Sequence, residues 1–145
     1  MAVTAKWYSK AFDAAFKKKI DVSADTFKAL LVTSSYTFDQ DAHDFKDDLT
    51  NEVTGTGYTA GGATLSSVTF TYNTSTNTFA LDAADVSWAS STITARGCVI
   101  YDSTPGTDAT RPLMIFIDFG ADVATTAGTL TITFDSGGIA TVTVA

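Results

Sequence analysis

The sequence predicts a mainly β protein, an antiparallel β-sandwich or partial barrel of about eight strands led by one amphipathic helix. Three observations carry this. Apolar residues recur every three to four positions before residue 21, and with a period of two from residue 66 onward. The β-type runs are short, Thr-rich and separated by turn sequences, which favours antiparallel pairing over parallel βαβ units. The composition, 45% hydrophobic, 12% aromatic and 17% charged over 145 residues, is that of a chain able to bury a core and too apolar for disorder. No internal repeat and no linker divides it. Residues 1–145 therefore read as a single domain: a helix at 5–20, an acidic and Gly-rich insertion at 36–65, and a β-rich body at 66–145.

The helix at 5–20 rests on Tyr8, Phe12, Phe16 and Ile20, four apart, with Trp7, Ala11 and Ala14 or Ala15 alongside. This stripe is expected to pack on a sheet, and Lys17, Lys18 and Lys19 to offset the dipole at the helix end. Residues 26–33 read as a strand buried on both faces by Ala29, Leu30, Leu31 and Val32. Residues 36–52 carry Asp39, Asp41, Asp44, Asp47, Asp48 and Glu52, with Asp41 placed to cap a short helix that turns Phe45 and Leu49 inward.

A glycine loop follows. Gly55, Gly57, Gly61 and Gly62, four of the ten glycines, flank Tyr58, and the segment reads as a shaped excursion that brings backbone close to backbone, within the chain or across an interface. Beyond it, Val68, Phe70 and Tyr72 alternate with Thr, and Phe79 and Leu81 resume after a turn at 73–77, a hairpin. Further strands are expected at 86–88, 93–101, 113–119, 130–134 and 139–144, the last two joined by the hairpin-type turn Asp135-Ser136-Gly137-Gly138.

Function is approached first by exclusion. A net charge of -7 and a pI near 4.3 make nucleic acid a poor partner. No apolar run approaches the roughly 18 residues of a membrane span, and no secretory leader is evident, so the expectation is a soluble protein made in the cytoplasm. Cys98 is the single cysteine, set in an apolar run, and is expected as a buried hydrophobe. His43 is the single histidine, and no nucleophile-elbow sequence accompanies it, so no enzyme activity is expected. Asp39, Asp41, Asp44 and Glu52 are hard oxygen donors, but His43 takes the third ligand position of a calcium loop and its glycine is missing, so neither metal nor cofactor is expected. The glycine spacing also fits neither a dinucleotide loop nor a P-loop.

The order Lys28-Ala-Leu-Leu-Val32, Tyr36-Thr-Phe-Asp-Gln-Asp-Ala-His43, Asn51-Glu-Val-Thr-Gly-Thr-Gly-Tyr-Thr-Ala-Gly-Gly62, Thr94-Ala-Arg96 and Ile117-Asp-Phe-Gly120 resembles a family of small virion structural proteins of tailed bacteriophages. The similarity covers nearly the whole chain. It implies a virion component without catalytic residues, foremost a capsid decoration (cement) protein that binds and stabilises the assembled head shell. Its implied partners are the major capsid protein or other virion proteins and further copies of itself, as in a trimer. A tail, neck or fibre-attachment protein is the alternative. A host-glycan-binding module using Trp7, Tyr58 or Trp88 is a further one. The candidate interface comprises residues 1–4, Asp39, Asp41, His43 and Asp44 of the acidic segment, and the loop residues Gly55, Gly57, Tyr58, Gly61 and Gly62.

Overall fold

The structure, a computed structural model, describes residues 3–144. Strand β1 (Thr4–Trp7) leads into helix α1 (Ser9–Phe16), and β2 (Phe27–Val32) and β3 (Ala63–Thr64) bracket a long irregular segment. Then follow β4 (Thr69–Asn73), β5 (Thr78–Asp82), β6 (Val86–Ser91), β7 (Thr94–Asp102), β8 (Leu113–Ala124), β9 (Gly128–Ile132) and β10 (Ala140–Thr143). All pairings are antiparallel. They build a five-stranded sheet, β1-β8-β7-β2-β3, and two smaller sheets, β10-β5-β4 and β6-β9. Among the described residues the result is a mainly β, sandwich-like fold with one α-helix near its N-terminus and no closed barrel.

The large sheet is buried on both faces, as the unbroken apolar run in β2 requires. On one face Phe27, Ala29, Leu31, Cys98, Ile100 and Ile115 form a core with Leu81, Val86, Trp88, Leu130 and Ala140 of the smaller sheets. On the other, Leu30, Val32, Val99, Tyr101, Leu113 and Phe116 pack with Tyr8 and with Tyr36, Phe38 and Leu49 from the irregular segment 33–50. A register shift at Met114, skipped between the Ile100–Ile115 and Tyr101–Leu113 pairs, turns its side chain into the first core.

Several sequence expectations are corrected. The helix covers Ser9–Phe16, not 5–20. Thr4–Trp7 instead forms an edge strand on β8, satisfying backbone groups that the sheet would otherwise expose. The helix ends because Lys18 adopts φ 59, and the Lys18 and Lys19 N–H groups bond back to the carbonyls of Ala15 and Ala14. This is a Schellman closure with lysine where glycine is usual. The four-residue stripe therefore breaks up: Tyr8 is fully buried and Phe12 packs at a tilt against Trp7 (centroids 5.2 Å apart), but Phe16 is 88% exposed and Ile20 lies past the helix.

Asp41 caps no helix, for residues 46–48 form only a short 3-10 turn and Phe45 precedes it. The turn at 135–138 joins no hairpin: β9 pairs with β6 and β10 with β5, so the turn carries the chain from one small sheet to the other. The expected eight strands become ten by the addition of β1 and β3.

Candidate interface

The glycine loop folds inward onto its own chain. A Cβ on Gly62 (φ 80) would overlap the Ala29 carbonyl of β2, one on Gly55 (φ 148) the Thr92 carbonyl, and one on Gly57 (φ 79) would stand 2.7 Å from the Ser91 Cα. These glycines let the loop lie against β2 and against the β6–β7 connection without a side chain between. Glu52 is its staple. One carboxylate oxygen accepts the Tyr58 hydroxyl at 2.8 Å and the Gly61 N–H at 2.6 Å. The Leu31 N–H donates to the Tyr58 hydroxyl at 3.1 Å, and the Tyr101 hydroxyl donates to the Gly61 carbonyl at 2.8 Å. Burial, followed by the Glu52 hydrogen bond, drives the Tyr58 phenol above its ordinary value; burial pushes Tyr101 up to about 12. Glu52 was grouped with the acids by sequence, and its position six residues before Tyr58 is the only local hint of this role.

The acidic segment likewise ties its polar groups to its own chain, with Asp39 and Asp41 at the surface and His43, Asp44 and Asp48 partly buried. Asp39 accepts the N–H groups of Asp41 and Ala42 at 3.0 and 2.9 Å, which lowers its pKa. Asp41 accepts the Ser9 hydroxyl at 2.7 Å, tying the segment to the start of α1. His43 Nδ1 lies 2.9 Å from the Tyr36 hydroxyl, itself 2.8 Å from the Tyr8 hydroxyl, so the histidine ends a buried phenol chain. Burial, then the Tyr36 contact, raises the Tyr8 phenol far above its usual range. Asp44 is raised by burial and by neighbouring Asp48. Asp48 is lowered on balance, since the N–H groups of Asp44 and Phe45 outweigh its burial. The four acids weighed as calcium ligands are thus engaged separately, and among the described residues no group of three or more His, Cys, Asp or Glu is placed to hold a metal ion.

Cys98 is buried and free, its thiol raised by burial alone. Trp88, considered as a sugar platform, sits in the core at 5% exposure. Trp7 is half-buried and its indole N–H donates to the Thr141 carbonyl at 3.1 Å. Residues 1 and 2 of the proposed N-terminal contact lie outside the described residues; Val3 is 63% exposed. Among the described residues no helix is long and apolar enough to cross a membrane.

Two apolar surfaces were not anticipated. The first is on the β4–β5 hairpin. Cross-strand partners share a face, so Phe70 (opposite Leu81), Tyr72 (opposite Phe79) and Val142 (opposite Phe79) lie on the side that carries buried Leu81. Toward the hairpin tip this face runs out beyond the core: Phe70 and Tyr72 are 44% and 46% exposed, both packed against the Phe79 ring at 5.2 and 4.6 Å. The alternation of β4 gave the face correctly; how far the opposing sheet extends is not a local property.

The second surface is a groove of about 860 Å³ where β1 and β9, each paired on one side only, border β8. Ala5, Ile117, Phe119, Val123, Leu130 and Ile132 supply its apolar lining, and Asp135 is the one charged residue lining it. It escaped the sequence reading because β1 did. Comparison with protein-family models, curated proteins and solved structures finds no match to this chain.

Proposed function

We propose that the protein is a structural component of a tailed-phage particle, acting as a decoration protein that binds and stabilises the assembled head shell. The observation that carries a contact role is the division of labour in the molecule. The groups with chemical potential (His43, Glu52, Tyr58 and Cys98) are committed to internal hydrogen bonds or buried in the core, whereas aromatic and aliphatic surface is left open on the hairpin and in the groove. Contiguous exposed apolar surface of this kind marks a site of association. The resemblance of its motifs to small virion proteins supplies the setting. A cement protein then needs only shape and contact: by binding the assembled lattice and not its free subunits it favours the lattice.

A tail or neck component is the second reading. It is favoured by the presence of two different apolar surfaces on one chain, a layout suited to head-to-tail contacts that close into rings. The two readings separate by copy number in purified particles, hundreds for a shell protein and about a dozen or fewer for a ring. The decoration reading is tested by adding purified protein to shells stripped of it: full rebinding should raise the shell melting temperature. Unchanged melting at full occupancy, or absence of the polypeptide from purified particles, overturns it.

A further inference from the structure

We propose that the protein self-associates head to tail, the aromatic face of the β4–β5 hairpin on one copy seating in the β1–β9 groove of the next. Both halves of the contact are present on a single chain. The hairpin offers Phe70, stacked on Phe79, and Tyr72, tilted against the same ring, both half open to solvent. The groove offers a recess lined from three strands, with Val3 and Val123 exposed at 63% and 41% on its rim. Its volume of about 860 Å³ falls in the range of recesses that enclose several ring-sized groups.

Electrostatics selects a second copy as the occupant. Copies carrying a net charge of -7 repel each other wherever charged surfaces meet. Residues 53–81, which include the whole aromatic face of the hairpin, have no charged side chain, and neither do residues 123–134, which form the β9 wall. Asp135 is the one charge among the groove residues, so these two surfaces are where two such copies meet with least like-charge repulsion. Backbone geometry agrees. Among the described residues β1, β9 and β4 are each paired on one side only, so an incoming hairpin can add main-chain hydrogen bonds to the burial of its rings. A foreign partner would fill one surface and leave the other bare; a second copy fills both in turn. The inference does not depend on residence in a virion.

The test uses the full chain in analytical ultracentrifugation, from low micromolar to several hundred micromolar at physiological salt. The wild type should increase in mass with concentration. Phe70→Ser combined with Tyr72→Ser (hairpin variant) and Val123→Lys (groove variant) should each weaken association on the order of 30-fold, the size expected for losing an anchor at the centre of an interface. An equimolar mixture of the two variants should form a one-to-one dimer and nothing larger, because one intact hairpin and one intact groove remain. Ala5→Lys, on the opposite groove wall, provides a second groove variant if Val123→Lys lowers the melting temperature. A wild type that stays monomeric throughout overturns the proposal. So does association that survives both groove substitutions, the signature of hairpins pairing with each other, or a mixture of folded variants that remains monomeric.

Discussion

Asp102 gives the sharpest test of the energetics. It ends β7 opposite Phe27, is fully buried, and accepts the Thr104 N–H at 2.8 Å through Oδ1, while Oδ2 has no hydrogen-bond partner. Burial, with the Asp25 carboxyl beside it, raises its pKa from 3.8 to about 6. The sign follows from linkage. A carboxyl that holds its proton more tightly when folded contributes stability that is fully present below pH 3.8 and is lost as pH rises through 6. The difference, 6 minus 3.8, is 2.2 units. At about 1.4 kcal/mol per unit it sets a ceiling near 3 kcal/mol on the cost of ionised Asp102 at neutral pH. Asp102→Asn keeps the Thr104 bond through its carbonyl oxygen and turns an N–H toward Asp25. The variant should therefore match the wild type near pH 4 and exceed it by up to about 3 kcal/mol near pH 8. Urea unfolding followed by tryptophan fluorescence across this range measures the gap; taking the difference cancels the acids remote from the site, while Asp25 titrates together with Asp102. A gap that does not change with pH, or a variant less stable at neutral pH, refutes the reasoning.

Two further outcomes follow from backbone geometry. Gly62→Ala should cost at least about 2–4 kcal/mol, since the added methyl overlaps the Ala29 carbonyl and φ is 80. Gly61→Ala, with only the Tyr101 hydroxyl 3.6 Å from the new methyl, should cost nearer 1 kcal/mol, the penalty of a left-handed alanine; denaturant titration of the pair reads the contrast. Lys18→Gly should stabilise the chain by up to about 1 kcal/mol by relieving φ 59 at the helix end, measured as a rise in melting temperature.

The elements visible in the sequence are those whose signal is local. β2 follows from four consecutive apolar residues, the β4–β5 hairpin from alternation about an Asn-rich turn, and β7 and β8 from long apolar runs. What escaped was decided elsewhere in the chain. Thr4–Trp7 has helical spacing, yet β8 recruits it as a strand. Asp135-Ser136-Gly137-Gly138 has hairpin chemistry, yet β6 and β5 claim the strands on either side. Of the candidate interface, the inward turn of the glycine loop was legible as close backbone approach, but Glu52 was hidden among other acids. The groove and the overhanging aromatic face depend on where sheets end, which no window of residues records.

The pairing of β1 with β8 also governs the order in which the molecule can assemble. Thr4 faces Asp118, a separation of 118 minus 4, or 114 residues, so closing this edge involves one of the longest loops the chain can make. During synthesis β1 must wait for the later β8 before it finds its place. Until then the β7 edge that β8 will occupy stays bare, and partly made chains present it to one another as a template for misassembly.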